Sequence, residues 1–294
     1  MTSYDHFIRV LVLVGFVVTG LLLTALLSAV IMLCGGIRLE EIMNMSQSGA
    51  MDFTPGLTRI LLLTQHLLSF ILPGFAFGLV FYKSRLLNGL DLSVNPGFLL
   101  SILGIFFLMA AYPLVNLSYL VNESIPLPDW ANLFEAQAED TMLAILEMKT
   151  PLIFMANLLI IAILPGIGEE LIFRGILQKQ VGLIFKNPVV GIWIAAFVFS
   201  AIHLQFEGFL PRMVLGAVLG YLYYWTGNLW VSMIAHGFNN GIQVALIYFT
   251  GMDLSTFDEK NSDQLQWWML PLSIGVMYLI YISILKNRRS IEQA

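Results

Sequence analysis

The chain has 294 residues, of which 58% are hydrophobic and only 11% are charged, and its formal net charge is −5 at pH 7. Soluble domains carry about 25% charged residues, so this composition excludes an ordinary water-soluble protein and indicates a chain that uses lipid as a solvent. No basic run or stripe indicates nucleic-acid binding, and the single cysteine, Cys34, excludes a disulfide framework or a cysteine-rich metal site within one chain.

The predicted elements are apolar helices, because about 20 apolar residues are needed to cross the hydrocarbon core of a bilayer. The first apolar run is too long for the core of a cleavable signal peptide. We predict eight spanning helices, at residues 8–33, 59–82, 97–121, 151–177, 188–204, 212–225, 229–249 and 267–285. The predicted fold class is therefore all-α, a polytopic transmembrane helical bundle of about eight spanning helices.

Two acidic linkers, 122–150 and 250–266, interrupt this series of helices. They divide the chain into an N-terminal part, 1–150, with three helices and an acidic extracytoplasmic loop, a catalytic core, 151–250, and a last part, 251–294, with an acidic loop and the final helix. A short amphipathic helix is predicted within the first linker, near residues 130–146.

Lysine and arginine residues are distributed unevenly between the predicted loops. With the N-terminus in the cytoplasm, those inside are Arg9, Lys83, Arg85, Lys179, Lys186, Lys286, Arg288 and Arg289, and those outside are Arg38, Arg59, Lys149, Arg212 and Lys260. This bias has the sign of the positive-inside rule. We therefore predict a multi-pass protein of a bacterial inner (plasma) membrane, with both termini in the cytoplasm and both acidic loops outside.

Several predicted spanning helices contain polar residues that lipid does not tolerate. A charge at such a position costs several kcal/mol unless it is paired or hydrated, so these residues are candidates for function. They are Glu169, Glu170 and Arg174 in the fourth helix, His203 in the fifth, and His236 and Asn240 in the seventh.

Helical spacing assigns different roles to these residues. Glu170 and Arg174 are four apart and can pair along one helix face. Glu169 lies about 100° around the helix without such a partner, which leaves its carboxylate for chemistry. His236 and Asn240 are also four apart, so Asn240 can either fix the imidazole or donate to a developing oxyanion.

A hairpin between the fourth and fifth helices brings distant residues together. Glu169 and His203 are equally far from Lys186 in the short connection, so we expect them at the same depth, about 25 Å from the hairpin tip. The proline and glycines within residues 165–168 are expected to loosen or kink the fourth helix just before the site, as occurs where water or backbone donors enter at depth.

These groups suit peptide hydrolysis, which needs a base to activate water and donors to stabilise an oxyanion. The sequence has no Gly-x-Ser-x-Gly nucleophile motif and no His-Glu-x-x-His zinc motif. Glu169, His203 and His236 are nevertheless a candidate zinc set, since one Glu with two His is a known ligand combination. A divalent metal such as zinc is therefore left open as a cofactor.

Three motifs on consecutive apolar segments carry a family resemblance. They are Glu169-Glu170-x-x-x-Arg174, Phe199-x-x-x-His203 and His236-x-x-x-Asn240. In this order they resemble the signature of the CAAX protease and bacteriocin-processing family, intramembrane endopeptidases similar to the type II CAAX prenyl protease. The resemblance covers about residues 151–249, and the first three helices and the last carry no matching motif.

The resemblance implies an enzyme acting on a membrane-associated peptide or protein, with access favoured from the cytoplasm. It implies that Glu169 activates the water, that His203 helps to bind that water, and that His236 and Asn240 form the oxyanion side. Glu170, Arg174 and Phe199 would be supporting residues. A glutamate mechanism without metal is the favoured account for the family.

Two other functions fit the same residues. Buried carboxylates can relay protons or cations in a transporter, although the charges here are confined to one region and no inverted repeat is visible. A non-catalytic immunity or scaffold protein could also keep this fold. His66, in the second predicted helix, is interpreted as packing or as an interhelical hydrogen bond.

Overall fold

The computed structural model describes residues 2–48, 53–251 and 266–292, and these residues form helices without any β-strand. The helices are α1 Ser3–Cys34, α2 Leu39–Ser48, α3 Pro55–Gly89, α4 Gly97–Glu123, α5 Asp129–Leu146, α6 Pro151–Phe185, α7 Pro188–Ala201, α8 Phe209–Thr226, α9 Leu229–Thr250 and α10 Met269–Glu292. The predicted all-α bundle is confirmed, and α5 occupies the predicted amphipathic segment.

Five of these helices, α1, α3, α4, α6 and α10, are long and apolar enough to cross a membrane. Each of the eight predicted spanning segments contains a helix, and five of these helices meet the length and composition of a membrane span on their own. Helix α7 has 14 residues and is therefore about 21 Å long, and α8 and α9 are not apolar enough. Much of α7, α8 and α9 faces other helices rather than lipid, so these helices need fewer apolar residues.

Helix α1 shows that the bundle requires an apolar surrounding. Only His6, Leu13 and Gly20 are buried along its 32 residues, while Leu22 and Leu26 are each more than 60% exposed. Soluble monomers rarely expose a continuous apolar surface of this length. The chain is therefore an integral, polytopic membrane protein.

One end of the bundle, which we call the hairpin end, contains the turn between α6 and α7. This turn lies where the sequence predicts it, and Lys186 there adopts a left-handed conformation with φ of 51°. The start of α1 lies beside it, since Ser3 Oγ donates to the Ile184 carbonyl at 3.3 Å. The end of α10 reaches the end of α8, where Arg288 donates to the Trp225 carbonyl at 3.0 Å.

The opposite end, which we call the loop end, contains α5 and the loop between α7 and α8, residues 202–208. Arg59, near the start of α3, donates to the Ile145 carbonyl at the end of α5 at 2.6 Å. Asn122, near the end of α4, donates to the Phe206 carbonyl in the 202–208 loop at 2.8 Å.

The predicted N-terminal part packs directly against the predicted catalytic core. One cluster of buried side chains joins Leu13 of α1 and Phe77 of α3 to Leu171 of α6, Phe199 of α7 and Leu229 of α9. The first helices therefore support the helices that carry the motif residues.

Helix α6 has widened, π-helical turns on both sides of its central part. They span Leu158–Ile163 and Leu171–Gln178, and between them lies the α-helical segment Leu164–Glu170. Such turns are frequent at functional sites because they change the direction in which side chains point. The loosening predicted near residues 165–168 thus occurs as wide turns before and after the segment.

The glycines of this segment allow close helix contacts. A Cβ atom at Gly166 would lie 3.0 Å from the Gly237 Cα and 3.1 Å from the Met233 carbonyl oxygen of α9. A Cβ atom at Gly168 would lie 2.9 Å from the Phe70 Cβ of α3. Helix α6 is therefore in backbone-level contact with α9, which brings the two sets of polar residues together.

Candidate active site

A cavity of about 490 Å³ lies inside the bundle and is bounded by residues of α3, α4, α5, α6, α7, α8, α9 and the 202–208 loop. Glu169, His203, His236 and Asn240 all line it. The structure therefore brings together the four residues that the sequence analysis identified as catalytic candidates, although they come from three separate stretches of the chain.

Glu170 and Arg174 form the ion pair expected from their spacing. The Arg174 guanidinium lies 2.6 Å from Glu170 Oε1, and the exposed fractions of the two side chains are 1% and 0%. Arg174 also donates to the Gly216 carbonyl of α8 at 2.9 Å, and its Cζ lies 4.7 Å from the centre of the Phe199 ring. Its charge is thus satisfied by a carboxylate, a carbonyl and an aromatic face.

His236 is oriented by the same carboxylate. Its Nδ1 lies 2.8 Å from Glu170 Oε1, so Glu170 holds both Arg174 on its own helix and His236 on α9. This contact leaves His236 Nε2 directed toward Glu169, whose Oε2 is 3.8 Å away. Glu169 is only 6% exposed. The Arg174 guanidinium pairs with Glu170 rather than with Glu169.

Asn240 does not fix the imidazole of His236, which was one of its two expected roles. Its Nδ2 donates to the Ile161 carbonyl of α6 at 3.1 Å, and its Oδ1 accepts from Asn239 Nδ2 at 3.2 Å. Because an amide nitrogen carries two hydrogens, one remains for the cavity. The position is consistent with the second expected role, donation to an oxyanion, which stays a prediction.

His203 lies just beyond α7, which ends at Ala201 rather than at residue 204 as predicted. The helix stops because the chain tightens into a turn, with Leu204 in a left-handed conformation at φ 55°. His203 Nδ1 lies 2.7 Å from the Phe199 carbonyl oxygen. Because a carbonyl only accepts, Nδ1 carries the proton, and Nε2 of the neutral ring is an acceptor.

The loop that carries His203 is held by α4 and α5, an arrangement that the sequence analysis missed. A carboxylate oxygen of Glu135 accepts hydrogen bonds from the backbone N–H groups of Phe206 and Glu207, and the Trp130 ring packs edge-on against Phe206. Asn122 donates to the Phe206 and Glu207 carbonyls. The amphipathic pattern of the 122–150 linker predicted a helix there, but such a pattern does not indicate which part of the chain the helix contacts.

His66 of α3 also lines the cavity. Its Nδ1 is buried and has no hydrogen-bond partner in the described part of the chain, so it does not form the interhelical hydrogen bond suggested above. It lies immediately before the π-helical turn Leu67–Ile71. A polar residue in a spanning helix was a signal for function, but no motif distinguished it from packing.

The candidate zinc set does not assemble in this geometry. Among residues 2–48, 53–251 and 266–292, no three His, Cys, Asp or Glu side chains lie close enough to hold a metal ion. Glu169 and His236 approach each other, but a structural or catalytic zinc needs at least three protein ligands. The arrangement therefore does not fit the metal as a three-ligand centre.

Comparison with known proteins finds a family match over the segment that holds this site. Residues 151–242 match the family described as type II CAAX prenyl endopeptidase Rce1-like. Over 107 residues the chain is 30% identical to the uncharacterized protein YpbD of Bacillus subtilis (strain 168), an alignment that covers 35% of this chain and 52% of that protein. The chain thus spans about half the length of the curated relative that it matches, and no solved structure matches it. Residues 151–242, which hold all four candidate catalytic residues, are therefore similar to the Rce1-like family of type II CAAX prenyl endopeptidases.

Proposed function

We propose that this protein is an intramembrane endopeptidase that hydrolyses a peptide bond of a membrane-associated protein or peptide. The proposal rests on the position of the Glu169 carboxylate. This carboxylate is buried, has no arginine partner, and faces His236 in a cavity that His203 and Asn240 also line. A second, ion-paired carboxylate stands beside it on the same helix. An ion pair alone would not need this spare acid.

In the proposed reaction, Glu169 removes a proton from a water molecule as the water oxygen attacks the carbonyl carbon of the scissile bond. His203 Nε2, an acceptor in the neutral ring, positions that water. The carbonyl oxygen becomes an oxyanion, stabilised by the free amide hydrogen of Asn240 and by Nε2 of His236 when this ring is protonated. The carbon–nitrogen bond then breaks, and Glu169 returns its proton to the leaving amine.

The proposal is tested with purified protein in detergent and a set of lipid-anchored peptides, with product fragments measured by mass spectrometry. Wild-type protein is expected to cleave, and His203→Ala to lower the rate by about 100-fold or more, as for the loss of a group that assists proton transfer. A zinc chelator is expected to leave the rate unchanged, because no three-ligand group forms. Equal rates for wild type and His203→Ala would remove the assignment of His203.

A separate prediction concerns the buried nitrogen of His66. Because His66 lines the cavity and its Nδ1 has no partner in the described residues, we expect its imidazole to hydrogen-bond the bound peptide. His66→Phe keeps a ring but removes the polar atoms, and kcat is expected to fall about tenfold, the size of one hydrogen bond. His66→Asn, whose amide occupies the place of Nδ1, is expected to restore most of that loss, while Gln65→Ala on the exposed side of the same helix serves as control. If His66→Phe is as active as wild type, His66 only fills space.

A further inference from the structure

The position of the cavity along the bundle is asymmetric. It is lined by Glu135 and Met142 of α5 and by Gln205 and Glu207 of the 202–208 loop, all at the loop end. None of its lining residues belongs to the turn at Lys186 or to the other segments of the hairpin end. From that turn, the 14 residues of α7 put about 21 Å of helix between the hairpin end and His203. The site therefore communicates with the loop end.

The two ends also carry opposite charge. Among the residues whose side chains the structure describes, the basic ones at the hairpin end are Arg9, Lys83, Arg85, Lys179, Lys186, Lys286 and Arg288, and the acidic ones are Asp5 and Asp91, so seven minus two gives +5. Counted in the same way, the basic residues at the loop end are Arg38, Arg59, Lys149 and Arg212, and the acidic ones are Glu40, Glu41, Glu123, Glu135, Glu139, Asp140, Glu147 and Glu207, so four minus eight gives −4. The positive-inside rule, which depends on the lysine and arginine excess, assigns the hairpin end to the cytoplasm.

From these two observations we infer that the cavity opens to the extracytoplasmic side of the membrane. Resting on the proposed endopeptidase function, this inference specifies the substrate class: a peptide segment exposed on the outer face, such as an exported peptide or the outer juxtamembrane segment of another membrane protein. A prenylated C-terminus in the cytoplasm would lie on the opposite side of the membrane from the opening of the cavity. The access that the family resemblance implies is thus reversed in this chain.

Single-cysteine labelling tests the orientation. Cys34 is the one cysteine of the chain, so Cys34→Ser gives a background without thiols. In that background, Glu139→Cys places a reporter on the exposed surface of α5 at the loop end, and Lys186→Cys places one at the hairpin turn. Neither residue lines the cavity. We expect a membrane-impermeant maleimide to label Glu139→Cys in intact cells and to label Lys186→Cys only after permeabilisation.

Labelling of Lys186→Cys in intact cells, alone or together with Glu139→Cys, overturns the inference.

A second experiment tests access to the cavity directly. In sealed vesicles with the loop end outward, an added lipid-anchored peptide is expected to be cleaved, and in inverted vesicles it is expected to stay intact. Cleavage in inverted vesicles alone also overturns the inference. The proposed function fails separately, since activity in detergent does not depend on orientation, and absent cleavage there leaves the labelling result unaffected.

Discussion

Replacing Arg174 by methionine is expected to lower the free energy of unfolding by about 3–5 kcal/mol, the size reported for removal of one partner of a buried ion pair. Glu170 would remain completely buried, with the hydrogen bond from His236 Nδ1 in place of two partners, and one of its oxygens, Oε2, already has no hydrogen-bond partner in the described residues. The loss of the contact with the Gly216 carbonyl of α8 adds to this effect.

The matched control is Arg38→Met. Arg38, which directly precedes α2, also lies 2.8 Å from Glu41 in the first turn of that helix, but both side chains are exposed, so we expect no measurable change. Thermal unfolding in one detergent compares the two variants. The double variant Glu170→Leu with Arg174→Met is expected to be more stable than Arg174→Met alone, because no buried charge is left unpaired. Equal stability of the Arg174 and Arg38 variants would show that the buried pair does not support the bundle.

Replacing Glu169 by glutamine is expected to lower kcat by about 1,000-fold, within the range for loss of a general base. Glutamine has nearly the same shape but cannot accept the proton from water, and the Arg174–Glu170–His236 contacts do not involve the replaced atoms. The change removes a buried charge that has no ion-pair partner, so the free energy of unfolding is expected to stay the same or to rise.

Glu139→Gln is the control for this variant, since it makes the same chemical change on the exposed surface of α5. Its kcat is expected to equal that of wild type. Thermal unfolding of all three proteins separates a chemical effect from a folding effect. A Glu169→Gln protein that is folded and cleaves at the wild-type rate would exclude Glu169 as the base.

Short-range features of the structure could be predicted from the sequence. The apolar runs fix which segments are helical, because a segment without water must satisfy its own backbone hydrogen bonds. The spacing of four between Glu170 and Arg174 predicts their ion pair, and the polar connection at Lys186 predicts the turn that aligns Glu169 with His203. Each of these features depends on neighbours within one helix or one hairpin.

Contacts between distant helices could not be predicted in this way. His236 contacts Glu170, 66 positions away, and not its helical neighbour Asn240, because the rotation of α9 against α6 is set by the close approach at Gly166 and Gly237. The end of α7 at Ala201 depends on a loop held by Asn122 and Glu135 from other helices. Periodicity within a segment carries no information about such rotations.

The measurement that addresses the central claim most directly is hydrolysis in isotopically labelled water. Purified wild-type protein, incubated with a lipid-anchored peptide in water enriched in heavy oxygen, is expected to release one fragment whose new carboxylate contains one heavy oxygen atom, and Glu169→Gln is expected to release this fragment about 1,000-fold more slowly. The account is contradicted if wild-type protein leaves the peptides intact, or if Glu169→Gln releases the same labelled fragment at the same rate.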